Sequence, residues 1–144
     1  MEKIIQQKIS ADHLLYSSLK YTKTTDVILN LLFRWGALIE DGINKILGKA
    51  KKEKKIKTIP SAPRMKVETA LKVYKNDEAI ANALNLYTFL KKAETSEKIR
   101  ENEFRKNVSL KVFHLGKWET IDLEKLKEYN VIIEQFVNRL KNMF

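Results

Sequence analysis

The residues best suited to chemistry in this chain are lysines crowded into one stretch. Between Lys45 and Lys66 nine basic residues stand against a single acid, Glu53, a net of +8. The chain of 144 residues carries 28 Lys plus Arg against 18 Asp plus Glu, +10 in all, so everything outside that stretch is close to balanced. Lys49, Lys51, Lys52, Lys54, Lys55 and Lys57 form its centre, with Arg64 and Lys66 just beyond. Ammonium groups on an adaptable segment track phosphates and release condensed counterions, giving affinity with little sequence specificity. Capture of a nucleic acid, RNA first, is the chemistry such a segment offers. A solvated, solubilising loop explains the same run about equally well, since charge runs are often only that. An anionic membrane fits less well, because few large apolar side chains are interleaved to insert beside the lysines.

A second, weaker grouping is Tyr16, Lys20, Tyr21 and Lys23, aromatic and basic groups within helical reach of one another. Such a mixture stacks on unpaired bases and contacts phosphate, although tyrosines at this spacing more often pack at a core edge with the hydroxyl in water. Trp35 and Trp118 read first as core or dimer-contact residues.

Enzymatic and metal chemistry finds little support. Cysteine is absent and only His13 and His114 are present, so thiolate and histidine-rich metal sites are excluded and no cofactor is implied. Walker-type, GxGxxG, HExxH and GxSxG patterns do not occur. Glu40 with Asp41, and Glu101 with Glu103, are too close in sequence to share a helix face and read as surface charges.

The elements that must position these residues are mainly helical. Ser10 is a plausible N-cap for a face running through Ala11, Leu15, Ser18, Thr22, Thr25, Leu29, Leu32, Gly36, Ile39, Ile43 and Ile46 in steps of three and four. That is one long helix or two in succession. Thr24, Thr25 and Asp26 can cap a second helix, but the unbroken phase favours continuity. GKAKKEKKIKTIPSAP, residues 48–63, combines glycine, like charges and two prolines, and predicts a flexible connection. Met65 to Tyr74 gives a short helical stripe. Asn76 or Asp77 caps the next helix, whose apolar face runs through Ile80, Leu84, Tyr87 and Leu90 and which is predicted to reach Lys106. VSLKVF and WETID alternate with period two and predict a β-hairpin around Leu115 and Gly116. Asp122 caps a terminal helix through Leu126, Ile133, Phe136 and Leu140.

The segment Arg100-Glu-Asn-Glu-Phe-Arg-Lys-Asn107, followed by a hairpin and a terminal helix, resembles the HEPN superfamily, small helical bundles that often dimerise. Ribonuclease members of that superfamily carry an Arg-x4–6-His motif. The correspondence puts Arg100 at the motif arginine and Asn107 where the histidine should be. Asparagine does not transfer protons near neutral pH, so the resemblance implies a noncatalytic relative, with a ribonuclease or toxin as the lesser alternative. His114 stands at the wrong spacing to replace the missing histidine.

These patterns predict one mainly α domain over residues 1–144, an antiparallel helical bundle with a peripheral short β-hairpin before the C-terminal helix. They predict a cytoplasmic protein, since MEKIIQQKIS lacks a signal-peptide core and Arg34 interrupts the most apolar run well short of a membrane span. The expected function is noncatalytic RNA association through the lysine-rich connection, with Arg100, Arg105 and Lys106 as auxiliary contacts. The alternative is a homodimeric or partner-binding bundle.

Overall fold

A computed structural model describes residues 1–144. Its elements are α1 (Glu2–His13), a π-helical turn (Leu14–Ser18), α2 (Leu19–Tyr21), α3 (Thr25–Lys52), α4 (Pro63–Val73), α5 (Glu78–Thr95), β1 (Lys98–Glu101), β2 (Ser109–His114), β3 (Lys117–Ile121) and α6 (Leu123–Met143). Helix α1, α3, α5 and α6 form the bundle, and neighbours run antiparallel. Gln7 Nε2 donates to Asp41 Oδ2 across α1 and α3 (2.9 Å), Tyr87 Oη to Glu40 Oε2 across α5 and α3 (3.3 Å), and Arg139 Nε to Asp77 Oδ2 across α6 and the start of α5 (2.6 Å). On the diagonal, α3 and α6 run parallel and meet at Gly42, where a Cβ would lie 2.5 Å from Phe136 Cζ. Trp35, Phe136, Ile28, Leu31, Leu38 and Ile39 are fully buried in the middle. Each such side chain contributes roughly 1.5 to 3 kcal/mol of transfer free energy, which drives the stripes together.

The long first helix does not run unbroken. The chain is helical from Glu2, well before Ser10, and turns back at Thr22 to Thr24. Thr24 is extended (φ −121°, ψ 154°) and its Oγ1 accepts from Val27 N (3.4 Å), the N-cap that starts α3. The apolar phase survives the break because α1 and α3 pack against the same core from opposite directions. Three threonines among four residues favour local side-chain hydrogen bonds over a continued helix.

The basic stretch also differs from expectation. Helix α3 continues through Gly48 to Lys52, so Lys49, Lys51 and Lys52 are helical rather than part of a connection, and the irregular segment is shortened to residues 53–62. Glycine costs a helix roughly 0.5 to 1 kcal/mol. Burial of Ile46, Leu47 and Ala50 around it, and three lysines at the negative end of the helix dipole, offset that cost. The helix closes with Lys54 in the left-handed conformation (φ 61°), its N–H donating to Lys51 O (3.1 Å) while Lys55 N donates to Ala50 O (2.9 Å). This is the Schellman arrangement, with lysine where glycine is usual. Pro63 then opens α4 at its first turn, a position that needs no N–H donor.

Helix α5 ends at Thr95, not near Lys106, and the residues beyond it form a third strand. The sheet is antiparallel in the order β1-β2-β3, with Arg100 opposite Leu110 and Phe113 opposite Trp118. Lys98, Ile99 and Arg100 looked helical among their charged neighbours, but Ser96 (ψ 158°) turns the backbone out of the helix and β2 supplies a partner edge. Asp77 and Asp122 cap α5 and α6 as the sequence predicts, accepting from Ile80 N (3.3 Å) and Lys125 N (2.9 Å). The mainly helical class and the small β element before the last helix stand. No helix is long and apolar enough to cross a membrane.

Candidate nucleic-acid interface

The lysines gather at one end of the bundle because α3 delivers them there. Around them sit the C-terminus of α6, the start of α5 and the irregular segment 53–62. Lys49 Nζ lies 3.7 Å and Lys55 Nζ 3.9 Å from the same oxygen of Glu53. Lys45 Nζ sits 4.4 Å and Lys49 Nζ 5.8 Å from the centre of the Phe144 ring, and Lys55 Nζ lies 5.5 Å from that of Tyr74. The ring faces attract these ammonium groups and fix them beside Phe144 and Tyr74. Tyr74 Oη donates to Ile46 O (3.0 Å), tying the end of α4 to α3, and burial pushes its hydroxyl pKa above the usual range. Lys66 donates to Asn44 (2.9 Å), and Arg64 pairs with Glu68 (3.4 Å) along α4. Lys51, Lys52, Lys54 and Lys57 are exposed and make no ion pair. Glu53 is thus the one carboxylate paired with the lysines of the run, and Glu68 is paired with Arg64, so the pole keeps a strong positive excess.

Arg100, Arg105 and Lys106 do not join this cluster. Arg100 on β1 donates to Asp26 Oδ1 (2.6 Å) and Thr25 Oγ1 (3.0 Å) at the first turn of α3, and the hydrogen bond to Asp26 raises its pKa. Glu103 accepts from Thr25 N (3.0 Å) and from the Thr25 hydroxyl, satisfying an open donor of the helix start. Phe104 N donates to Lys23 O (2.6 Å), completing the attachment of the β1–β2 loop. That loop makes its tight path through left-handed Asn102 (φ 56°) and Phe104 (φ 64°). Helix α3 has 28 residues, so at 1.5 Å per residue its two ends lie about 40 Å apart. The auxiliary contacts expected from sequence thus sit at the far pole. Arg100 is engaged in fastening the sheet to α3, while Arg105 and Lys106 are exposed. Asn107 offers its carbonyl to Asn102 Nδ2 (3.3 Å). The Arg100 to Asn107 segment is strand and loop rather than the end of a helix.

Two further groupings were not legible as units. Lys106 meets Lys20, Lys23 and Lys127 around a cavity of about 220 Å³ at that far pole. Lys20 and Lys23 stood out in the sequence, but Lys127, one helical turn beyond Leu123, carried no signal. On the outer face of the sheet Phe113 and Trp118 pair with ring centres 5.2 Å apart and remain about 40% exposed, close to the fully solvated Leu115 at the turn. Trp35, by contrast, is buried in the core and packs edge-on to Tyr129 at 6.3 Å. His114 stands edge-on to Phe89 at 5.0 Å. Comparison with family models, with curated proteins and with solved structures found no match for this chain.

Proposed function

We propose that this protein binds nucleic acid, RNA in the first instance, through the basic pole formed by the end of α3 and the segment after it, and that it does so in the cytoplasm without catalysis. The observation that carries this reading is the set of exposed, unpaired ammonium groups on Lys51, Lys52, Lys54 and Lys57, flanked by Lys49 and Lys55 over a single carboxylate. The mechanism is electrostatic. Phosphates replace condensed counterions with fixed cations, so affinity falls steeply with salt and depends weakly on sequence. Arg64 and Lys66, at the start of α4, extend the cationic track. The HEPN resemblance, carried only by the Arg100 to Asn107 segment, adds no catalytic role to this reading. The motif arginine is committed to Asp26 and Thr25, and Asn107 supplies no proton-transfer group.

The test is binding of a single-stranded RNA oligonucleotide across a salt series, with the native chain and with a variant carrying Gln at positions 51, 52, 54 and 55. At about 0.7 per phosphate contact, losing four contacts flattens the slope of log K against log salt by about 3. An unchanged slope removes the proposal.

One observation favours a second reading, an interaction module without nucleic-acid function. The Phe113–Trp118 pair with Leu115 presents aromatic and aliphatic surface of the kind enriched at protein interfaces. A dimer that forms in ultracentrifugation at high salt and is lost on Trp118→Ser, in a protein that binds no RNA, would establish it instead.

A further inference from the structure

The cavity at the far pole has a composition that the bundle does not need. Its floor is aliphatic, made by Leu15, Leu19, Val108 and Leu123. Its rim is four lysines, Lys20, Lys23, Lys106 and Lys127, drawn from α2, the α2–α3 connection, the β1–β2 loop and α6, and no acid lines it. None of the four forms an ion pair with a carboxylate; Lys23 donates only to Lys20 O (2.5 Å). Some surface lysines of this protein do find acids, as Lys91 with Glu94 (3.3 Å) and Lys125 with Glu128 (3.3 Å) do, but the four at the cavity, like Lys51, Lys52, Lys54 and Lys57 of the basic pole, do not. Lysine stems therefore help line an apolar hollow, and ammonium groups from four parts of the chain, none with an acid partner, are left to meet an anion at its mouth.

The backbone is also shaped for it. The wall is built on the π-helical turn Leu14–Ser18, where Leu19 N donates five residues back to Leu14 O, with Leu15 and Leu19 on its cavity side. Such bulges recur at functional sites. The same turn lifts Tyr16 to the rim, where its hydroxyl accepts from Asn130 Nδ2 (3.1 Å).

We propose that this cavity binds an amphipathic anion, a short aliphatic chain with a carboxylate or phosphate head, the chain on Leu15, Leu19, Val108 and Leu123 and the head among Lys20, Lys23, Lys106 and Lys127. An aliphatic body suits the site better than a nucleobase, whose polar edges would find little besides ammonium groups for partners. The inference is independent of RNA binding at the opposite pole, about 40 Å away along α3.

Calorimetry with straight-chain carboxylates from acetate to decanoate, and with the matching alkyl phosphates and inorganic phosphate, tests it. Each methylene that enters the hollow should tighten binding roughly three- to fourfold, with a plateau once the cavity is full. Comparing the two series identifies which head group is preferred. Leu123→Trp, at the half-exposed edge of the aliphatic floor, should fill the hollow and cost at least tenfold for octanoate while leaving acetate unaffected. Lys106→Gln with Lys127→Gln should weaken every member of a series by a similar factor. Affinity that does not change with chain length, or octanoate binding that survives Leu123→Trp in a folded protein, overturns the proposal. RNA binding by either variant should equal that of the native chain, so failure here is distinguishable from failure of the RNA reading.

Discussion

Three glycines in one helix give a test in which the sign of the effect, not only its size, depends on the packing. Alanine is favoured over glycine inside a helix by about 0.8 to 1 kcal/mol. At Gly36 and Gly48 a Cβ meets nothing within 4 Å, so Gly36→Ala and Gly48→Ala should each stabilise by roughly 0.5 to 1 kcal/mol. At Gly42 the same Cβ would lie 2.5 Å from Phe136 Cζ, 2.6 Å from Cε2 and 3.1 Å from Leu140 Cδ1. Phe136 is fully buried among core side chains, so its ring shifts only by displacing them. Overpacking of this kind costs about 1 to 3 kcal/mol, which outweighs the propensity gain, so Gly42→Ala should destabilise by on the order of 1 to 2 kcal/mol. Urea unfolding followed by circular dichroism measures all three. For a domain of this size the midpoint temperature moves by roughly 4 °C per kcal/mol, so thermal melts should rank the variants the same way. Phe136→Leu should relieve the clash, giving a coupling of about 1 kcal/mol or more in the double-mutant cycle. A Gly42→Ala protein as stable as Gly48→Ala would refute the close α3–α6 approach on which the bundle geometry rests.

The remaining expectations concern the two poles. Lys54→Gly should stabilise by up to about 1 kcal/mol in denaturant unfolding, because glycine holds the left-handed closure of α3 without strain. Glu103→Ala should cost roughly 1 to 2 kcal/mol, since it strips an acceptor from the start of α3, while RNA affinity stays within twofold in the same oligonucleotide assay. Burial pushes the hydroxyls of Tyr87 and Tyr129 up to about 12, against about 10 in the unfolded chain. Folding therefore holds these protons more tightly. The stability this confers is full below pH 10 and is lost as pH rises from about 10 through about 12. Tyr87→Phe should make that alkaline decline shallower in unfolding curves taken across the range.

What the sequence discloses is the period of burial, and what it conceals is direction. The stripe from Ala11 to Ile46 marks buried residues at Leu15, Leu32, Ile39, Ile43 and Ile46, but Thr22 on it is exposed and it cannot show that the chain reverses at Thr22 to Thr24, because helices on either side of a turn keep phase when both face one core. Caps were legible at Asp77 and Asp122, where one side chain and the N–H three residues on make the feature locally. Gly48 misled for the opposite reason, since tertiary burial of Leu47 and Ala50 outweighs a local propensity. Strand β1 exists only because β2 pairs with it, and a four-residue edge strand rich in charge has no period of its own. The basic pole was visible as a run of lysines. Of the cavity lysines, Lys20, Lys23 and Lys106 stood out separately, but their meeting with Lys127 was not legible, because they come from distant parts of the chain.

The most direct test of the central claim is residue-resolved. Titrating a single-stranded RNA oligonucleotide into isotopically labelled protein at low salt, and following amide resonances, reports which pole the strand touches. The account predicts shifts concentrated at Lys49 to Lys57 and around Arg64 and Lys66, reversed by salt, with Arg100 to Asn107 unmoved. Shifts confined to the Arg100 to Asn107 loop, or none anywhere on the chain, would contradict it.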